Sequence, residues 1–307
     1  FRRVLFRSEN AIARAVWRDS LPQDIADAFE PLPFDQQFIV SRAGSGGLMF
    51  ARPTDGVAVR QAAVDFSSFY GSVMMRSIRV PIAPGRVVVG VEAQRFIDQN
   101  QACRVSSTPE FVVGLFELTA DRDAFARVNL HLPKIARRRY FTSYEVWYAQ
   151  KHGVAFTIVP NGRHIVWPFA ATRELHDIFG AFVRRLFAWR QYASEQGASE
   201  AAVQFIKRVG NSLWGGFGQR SVSKHTVNTG GELPAGIVVG SPKGLPEGRV
   251  GVTMTATDGT SSLFEYPAAC AIWAFIPAIG RWTAASFISY RSEEHTSELQ
   301  SHSFISY

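Results

Sequence analysis

Residues 207–218, KRVGNSLWGGFG, decide how this chain is read. They overlap a run, 198–209, whose apolar residues Ala198, Ala201, Ala202, Phe205, Ile206 and Val209 recur at helical spacing, so Lys207 is expected near a helix end. Lys207 and Asn211 stand four apart on one helix face with Ser212 beside them, and Gly215-Gly216 is expected to break the helix and let backbone approach a ligand closely. A cation, an amide and a hydroxyl presented together suit a polyanion such as a nucleoside triphosphate. The same residues also read as a solvated helix end closed by glycine. Just upstream, residues 175–193 carry an apolar stripe of Leu175, Ile178, Phe179, Phe182, Val183 and Leu186, which predicts a helix paired antiparallel with 198–209 through a loop at Gly197. Arg190 would then lie within reach of the Lys207 end of its neighbour, or stand as a surface arginine.

Working outward, Val57 to Phe66 is an apolar, β-branched run that places Asp65 at a strand end, followed by a turn and a short helix, 70–75. A carboxylate aimed from a sheet edge is the oxygen ligand a hard cation needs. It is equally the side chain that caps a helix N-terminus. Residues 9–30 read as two short helices separated by Pro22, and 37–43 and 47–52 as strands around the turn Gly44–Gly47. Further strands are expected at 86–91, 111–118, 154–159, 236–239 and 249–255. Thr142-x-x-Glu145 reads as a capping box opening a helix that Gly153 closes, and 267–285 as an apolar helix containing Pro277. Lys134, Arg137, Arg138 and Arg139 form either a solvated face or a phosphate-contacting patch.

The chain has 307 residues, 46% of them apolar, without a run long and apolar enough to span a membrane. Cys103 and Cys270 are the only cysteines, so neither a disulfide framework nor a C-x-x-C zinc site is indicated, and a reducing, intracellular setting (host cytoplasm or virion-associated) is expected. The seven histidines show no ligand spacing and are expected at surface or loop positions. Both ends, 1–8 (FRRVLFRS) and 291–307, resemble translated strands of a short-read sequencing adapter, and SFISY occurs at 286–290 and again at 303–307. These ends are expected to stay outside any core. Without them 29 basic and 23 acidic residues remain, a surplus that suits a polyanionic partner. No start methionine follows residue 8, so the chain is expected to be an internal fragment.

Lys207-x3-Asn211-Ser212-x-Trp214-Gly215 resembles the fingers motif K-x3-N-S-x-Y-G of family B DNA polymerases, followed by the family's FGQ at Phe217, Gly218 and Gln219. Asp65 to Ser72, DFSSFYGS, resembles the family's D-x-x-S-L-Y-P-S. Gly44-x-Gly46-Gly47 resembles its template-contacting Y-x-G-G, and Thr142 to Val146 a T-x-E-like segment before the fingers. The four matches fall in the family's order. Trp214 replaces tyrosine, Gly71 proline and Gly44 tyrosine, and Gly216 stands where lysine is common.

The resemblance implies an α+β fold: a partial polymerase palm, an antiparallel sheet with helices, plus a fingers helical hairpin and an inserted mixed subdomain. By it, 9–75 begins the palm, 76–141 is an insertion like the terminal-protein region of the protein-primed branch, 142–220 holds the fingers, and 221–290 returns to the palm before a Y-x-D-T-D motif that does not occur here. It further implies Asp65 and Lys207 as catalytic residues, with Asp65 and the Phe66 carbonyl on Mg²⁺, two ions in the complete enzyme. Phe66, Tyr70, Arg190, Lys207 and Asn211 would hold the dNTP, with Tyr70 beneath its sugar. Gly46, Gly47, Ser212, Trp214 and Gly215 would contact DNA. Partners would be a DNA template-primer, dNTP and a terminal priming protein, with no membrane. Lacking the second catalytic Asp, the fragment is expected to be inactive; the alternative is a polymerase-like nucleic-acid-binding protein without catalysis.

Overall fold

Residues 270–285 are apolar on nearly every side, the pattern of a helix surrounded by protein. A computed structural model describes residues 8–43, 69–99, 112–120, 140–219, 223–228, 237–239, 243–245, 249–256 and 262–293, and places that segment at the centre. Helices among these residues are α1 (Glu9–Ser20), α2 (Gln23–Asp27), α3 (Phe34–Ser41), α4 (Phe69–Met74), α5 (Gly90–Gln99), α6 (Ser143–Lys151), α7 (Leu175–Glu195), α8 (Glu200–Phe217) and α9 (Cys270–Glu293). Helix α9 packs against α3, α4, α6 and α8, and buries Ile272, Phe275, Ile276 and Ile279. Pro277 lies inside it, as expected.

The strands are β1 (Arg79–Pro81), β2 (Arg86–Val88), β3 (Val113–Ala120), β4 (Tyr140–Thr142), β5 (Phe156–Ile158), β6 (His164–Trp167), β7 (Thr172–Glu174), β8 (Ser223–Asn228), β9 (Ile237–Val239), β10 (Lys243–Leu245) and β11 (Arg249–Ala256). All pair antiparallel. One sheet runs β2-β6-β3-β4, with β5 continuing along β3; a second runs β10-β11-β8 with β9 on β11; β1 pairs with β7 alone. In the first sheet Leu115 stands opposite both Thr142 and Ile165, so β3 is its spine. The mixed α and antiparallel β content agrees with the expected class.

The helical hairpin forms as predicted, and the positive φ of 65° at Gly197 makes its turn. Ser199 caps α8, its Oγ accepting from the Ala202 N–H at 3.4 Å. The capping box at Thr142 and the Gly153 closure (φ 71°) also form.

Four expectations are corrected. Residues 37–43 are not a strand: Phe34–Ser41 is helical, because Gln36, Gln37 and Val40 turn inward together at helical spacing. Only Arg86–Val88 of 86–91 is a strand. Gly90 opens α5 because its backbone lies against Pro160, where a Cβ would stand 2.7 Å away. Gly215 and Gly216 do not break α8, which runs to Phe217 and is capped at Gly218; tertiary packing outweighs the roughly 1 kcal/mol each glycine costs a helix. His164 is not a surface residue: on β6 it is fully buried. The strands at 111–118, 154–159, 236–239 and 249–255 hold for their described parts, with shifted bounds, whereas 47–52 and 57–66 lie outside the described residues. Of the two ends, only Ser8 and 291–293 are described; Ser8 caps α1 and 291–293 continue α9.

Candidate functional site

Helix α8 presents Lys207, Asn211 and Trp214 at intervals of four and three, a single row along one face about 10 Å long. Lys207 is half-buried and Asn211 exposed, and neither has a hydrogen-bond or ion-pair partner among the described residues. Gly215 continues the row from Asn211. Nothing described stands within 4 Å of where its Cβ would be, so backbone is open there to a ligand. Ser212 departs from the row: its Oγ donates back to the Val209 carbonyl at 3.0 Å.

At its lower end the row meets α4. The Trp214 and Tyr70 rings lie 4.9 Å apart at 39°, and Phe69 stands edge-on to Tyr70 at 5.5 Å. Residues 144 apart in sequence thus share one aromatic wall. The Trp214 indole N–H is buried and finds no acceptor among the described residues. Burial pushes the Tyr70 phenol above its ordinary 10.0, against the opposing charge of Arg281.

Arg190 is half-buried on α7. Leu186 Cδ1 lies 3.1 Å from the Cβ position of Gly210, and one turn outward on each antiparallel helix stand Arg190 and the Ile206-Lys207 pair. Arg190 is therefore at the level of Lys207. Asp65, Phe66, Gly46 and Gly47 lie outside the described residues. Among the described residues no group of three or more His, Cys, Asp or Glu could hold a metal ion.

Several residues that hold this row carry no local signal in the sequence. Arg14 of α1 donates to the Gly216 carbonyl at 3.2 Å and to Gln219 Oε1 at 2.9 Å, pairs with Glu265 at 3.7 Å, and lies 4.4 Å over the Tyr266 ring. A Cβ at Gly216 would stand 3.3 Å from Arg14 Nη1 and 3.5 Å from Asn10 Cβ. Gly218 lies flat against Trp273, and Phe217 is fully buried against Trp17 at 4.9 Å. Phe217-Gly218-Gln219 is thus an anchor tying the base of α8 to α1 and α9. Behind Tyr70, a Cβ at Gly280 would come within 3.1 Å of Phe69 and 3.5 Å of Tyr70. The next residue, Arg281, is buried and donates from Nε (3.1 Å) and Nη2 (2.8 Å) to Glu145 Oε1. Glu145 Oε2 accepts from the Thr142 N–H and hydroxyl. The Thr142 box therefore fixes α9 as well as starting α6.

The sequence matches the family described as DNA polymerase type B, organellar and viral, over residues 44–230, more than half of the chain. The chain belongs to that family. No curated protein and no solved structure matches it. The matched span takes in the segments 44–47, 65–72, 142–146 and 207–219 of the chain. It leaves out α1 and α9, both of which pack against α8. No helix among the described residues of the chain is long and apolar enough to cross a membrane.

Proposed function

We propose that this chain binds a DNA template-primer and an incoming dNTP for nucleotidyl transfer, and that the Lys207-Asn211-Trp214 row with Tyr70 is its nucleotide site. The observation that carries this reading is the Tyr70–Trp214 contact, which joins α4 to α8. Lys207, with Arg190 at its level, would take the triphosphate as point and forked charges, and Asn211 would orient it. Gly215 would admit DNA to the backbone. Tyr70, held between Trp214, Phe69 and α9, would sit beneath the sugar and leave no room for a 2′-hydroxyl.

Asp65 and the Phe66 carbonyl, five and four residues before Tyr70, are the oxygen donors we assign to Mg²⁺; carboxylate and carbonyl oxygens suit that hard cation. Bound there, the metal would supply Lewis-acid stabilisation of the transferring phosphate. Two-metal transfer also needs a second carboxylate, which the family's order puts after α9. The roughly 70 residues between Ser72 and Thr142 favour the protein-primed branch, with 76–141 as the surface for a terminal priming protein.

The test compares dNTP and rNTP as competitors for a fluorescent dNTP on the chain bound to primer-template with Mg²⁺. The native chain is expected to prefer deoxyribose by roughly tenfold or more. Tyr70→Ala is expected to close that gap, whereas Asp65→Ala weakens both sugars alike. An unchanged ratio in Tyr70→Ala would remove Tyr70 from the sugar site.

A further inference from the structure

The apolar stripe of α7 is spent on the core by Leu186, yet the helix continues for nine residues and displays Trp189 at 44% and Tyr192 at 65% exposure. Arg185, Trp189 and Tyr192 follow one another at intervals of four and three, so they form a single stripe, flanking and distinct from the buried one. Phe187 and Phe205 are exposed on the same hairpin, whereas the exposed rings of Phe38 and Phe169 elsewhere each carry an arginine, Arg42 at 4.4 Å and Arg79 at 3.5 Å. Trp189 and Tyr192 have no ring or cation contact, and Arg185 no ion pair, among the described residues. Large aromatic surface left in water in this way marks a binding surface.

We infer that the Arg185-Trp189-Tyr192 stripe is a binding site for single-stranded DNA. Charge complementarity selects this occupant: between residues 184 and 208 the hairpin carries Arg184, Arg185, Arg190, Lys207 and Arg208, the last paired with Glu9 at 3.1 Å, against Glu195 and Glu200. Glu195 is engaged by Gln191, which donates to it at 2.8 Å on a different stripe. Unpaired bases offer the flat faces that Trp189 and Tyr192 can stack on, while paired bases in a duplex do not. From Arg185 to Tyr192 the stripe spans about 10 Å. The inference rests on the polymerase reading for the source of the strand, the unpaired template.

The test is fluorescence anisotropy of a labelled (dT)12 with the 307-residue chain. Trp189→Ala and Tyr192→Ala are each expected to weaken binding about tenfold. Trp189→Phe, which keeps a stacking face, should restore most of it. Arg185→Ala should lower the slope of log K against log salt by about 0.7. Circular dichroism confirms that each variant is folded. Native affinity in the folded double alanine variant, or no binding by the native chain, overturns the site. So does a double variant that loses a dimer in light scattering while keeping (dT)12 affinity, because the stripe would then be a self-association surface. Binding of dNTP on primer-template reads the Lys207 row instead, so the polymerase reading stands or falls separately.

Discussion

Replacing Arg281 by Met separates two kinds of stabilisation behind Tyr70, at the back of the proposed nucleotide site. Glu145 and Arg281 are 2% and 3% exposed, and Arg281 places two N–H groups on one carboxylate oxygen. Met fills a similar volume but leaves Glu145 Oε1 without its cation in a desolvated position. Breaking a buried pair from one side costs about 3–5 kcal/mol. Replacing Glu145 by Gln as well removes the buried charge and keeps an oxygen for Thr142, so the remaining cost is that of imperfectly matched amide hydrogen bonds, about 1–3 kcal/mol. The double variant should therefore be more stable than Arg281→Met alone. Urea unfolding followed by circular dichroism and tryptophan fluorescence reads both; at an m value of about 3 kcal/mol/M, the single variant should shift the midpoint by roughly 1 M or more. A loss below about 1 kcal/mol for Arg281→Met, or a double variant no better than the single, would refute the reasoning that the pair is a desolvated charge pair.

Gly218→Ala puts a methyl 2.3 Å from Trp273 Cδ1 and should cost about 1–3 kcal/mol, whereas Gly215→Ala enters open space and should gain up to about 1 kcal/mol of helix stability. Thermal unfolding of the two variants should move in opposite directions. Burial holds His164 below its ordinary 6.5; its Nδ1 accepts from the Glu117 N–H at 3.0 Å, a bond that protonation destroys. The unfolded chain gains that proton as pH falls through 6.5 and the folded chain does not, so this stability is full above 6.5 and is lost progressively below it. Between pH 7 and pH 5, unfolding free energy should fall less steeply in His164→Gln than in the native chain.

What was legible in the sequence was periodic or local. The stripes of 175–186 and 198–209, the Thr142-x-x-Glu145 box, Gly153, Gly197 and the apolar segment around Pro277 each carry their signal within a few residues, and each forms as expected. Residues 37–43 misled because Phe38, Ile39 and Val40 make a strand-like run. What holds them as a helix is remote: Gln36 donates to the Gly85 carbonyl at 2.7 Å and Gln37 accepts from the Leu263 N–H at 2.8 Å. The four residues of β6, between Gly162 and Pro168, are too short to show alternation, yet they pair with both β2 and β3. At the candidate site the row of Lys207, Asn211 and Trp214 could be read from spacing. Its supports could not: Arg14 reaches Gly216 across 202 residues and Arg281 reaches Glu145 across 136.

The most direct measurement of the central claim is the equilibrium affinity of the chain, loaded with primer-template and Mg²⁺, for the dNTP complementary to the next template base. The native chain should bind that dNTP more tightly than the three mismatched ones, and Lys207→Ala should weaken it by roughly tenfold or more through loss of a charge-assisted phosphate contact. Equal affinity for all four nucleotides, or native affinity in Lys207→Ala, would contradict the account.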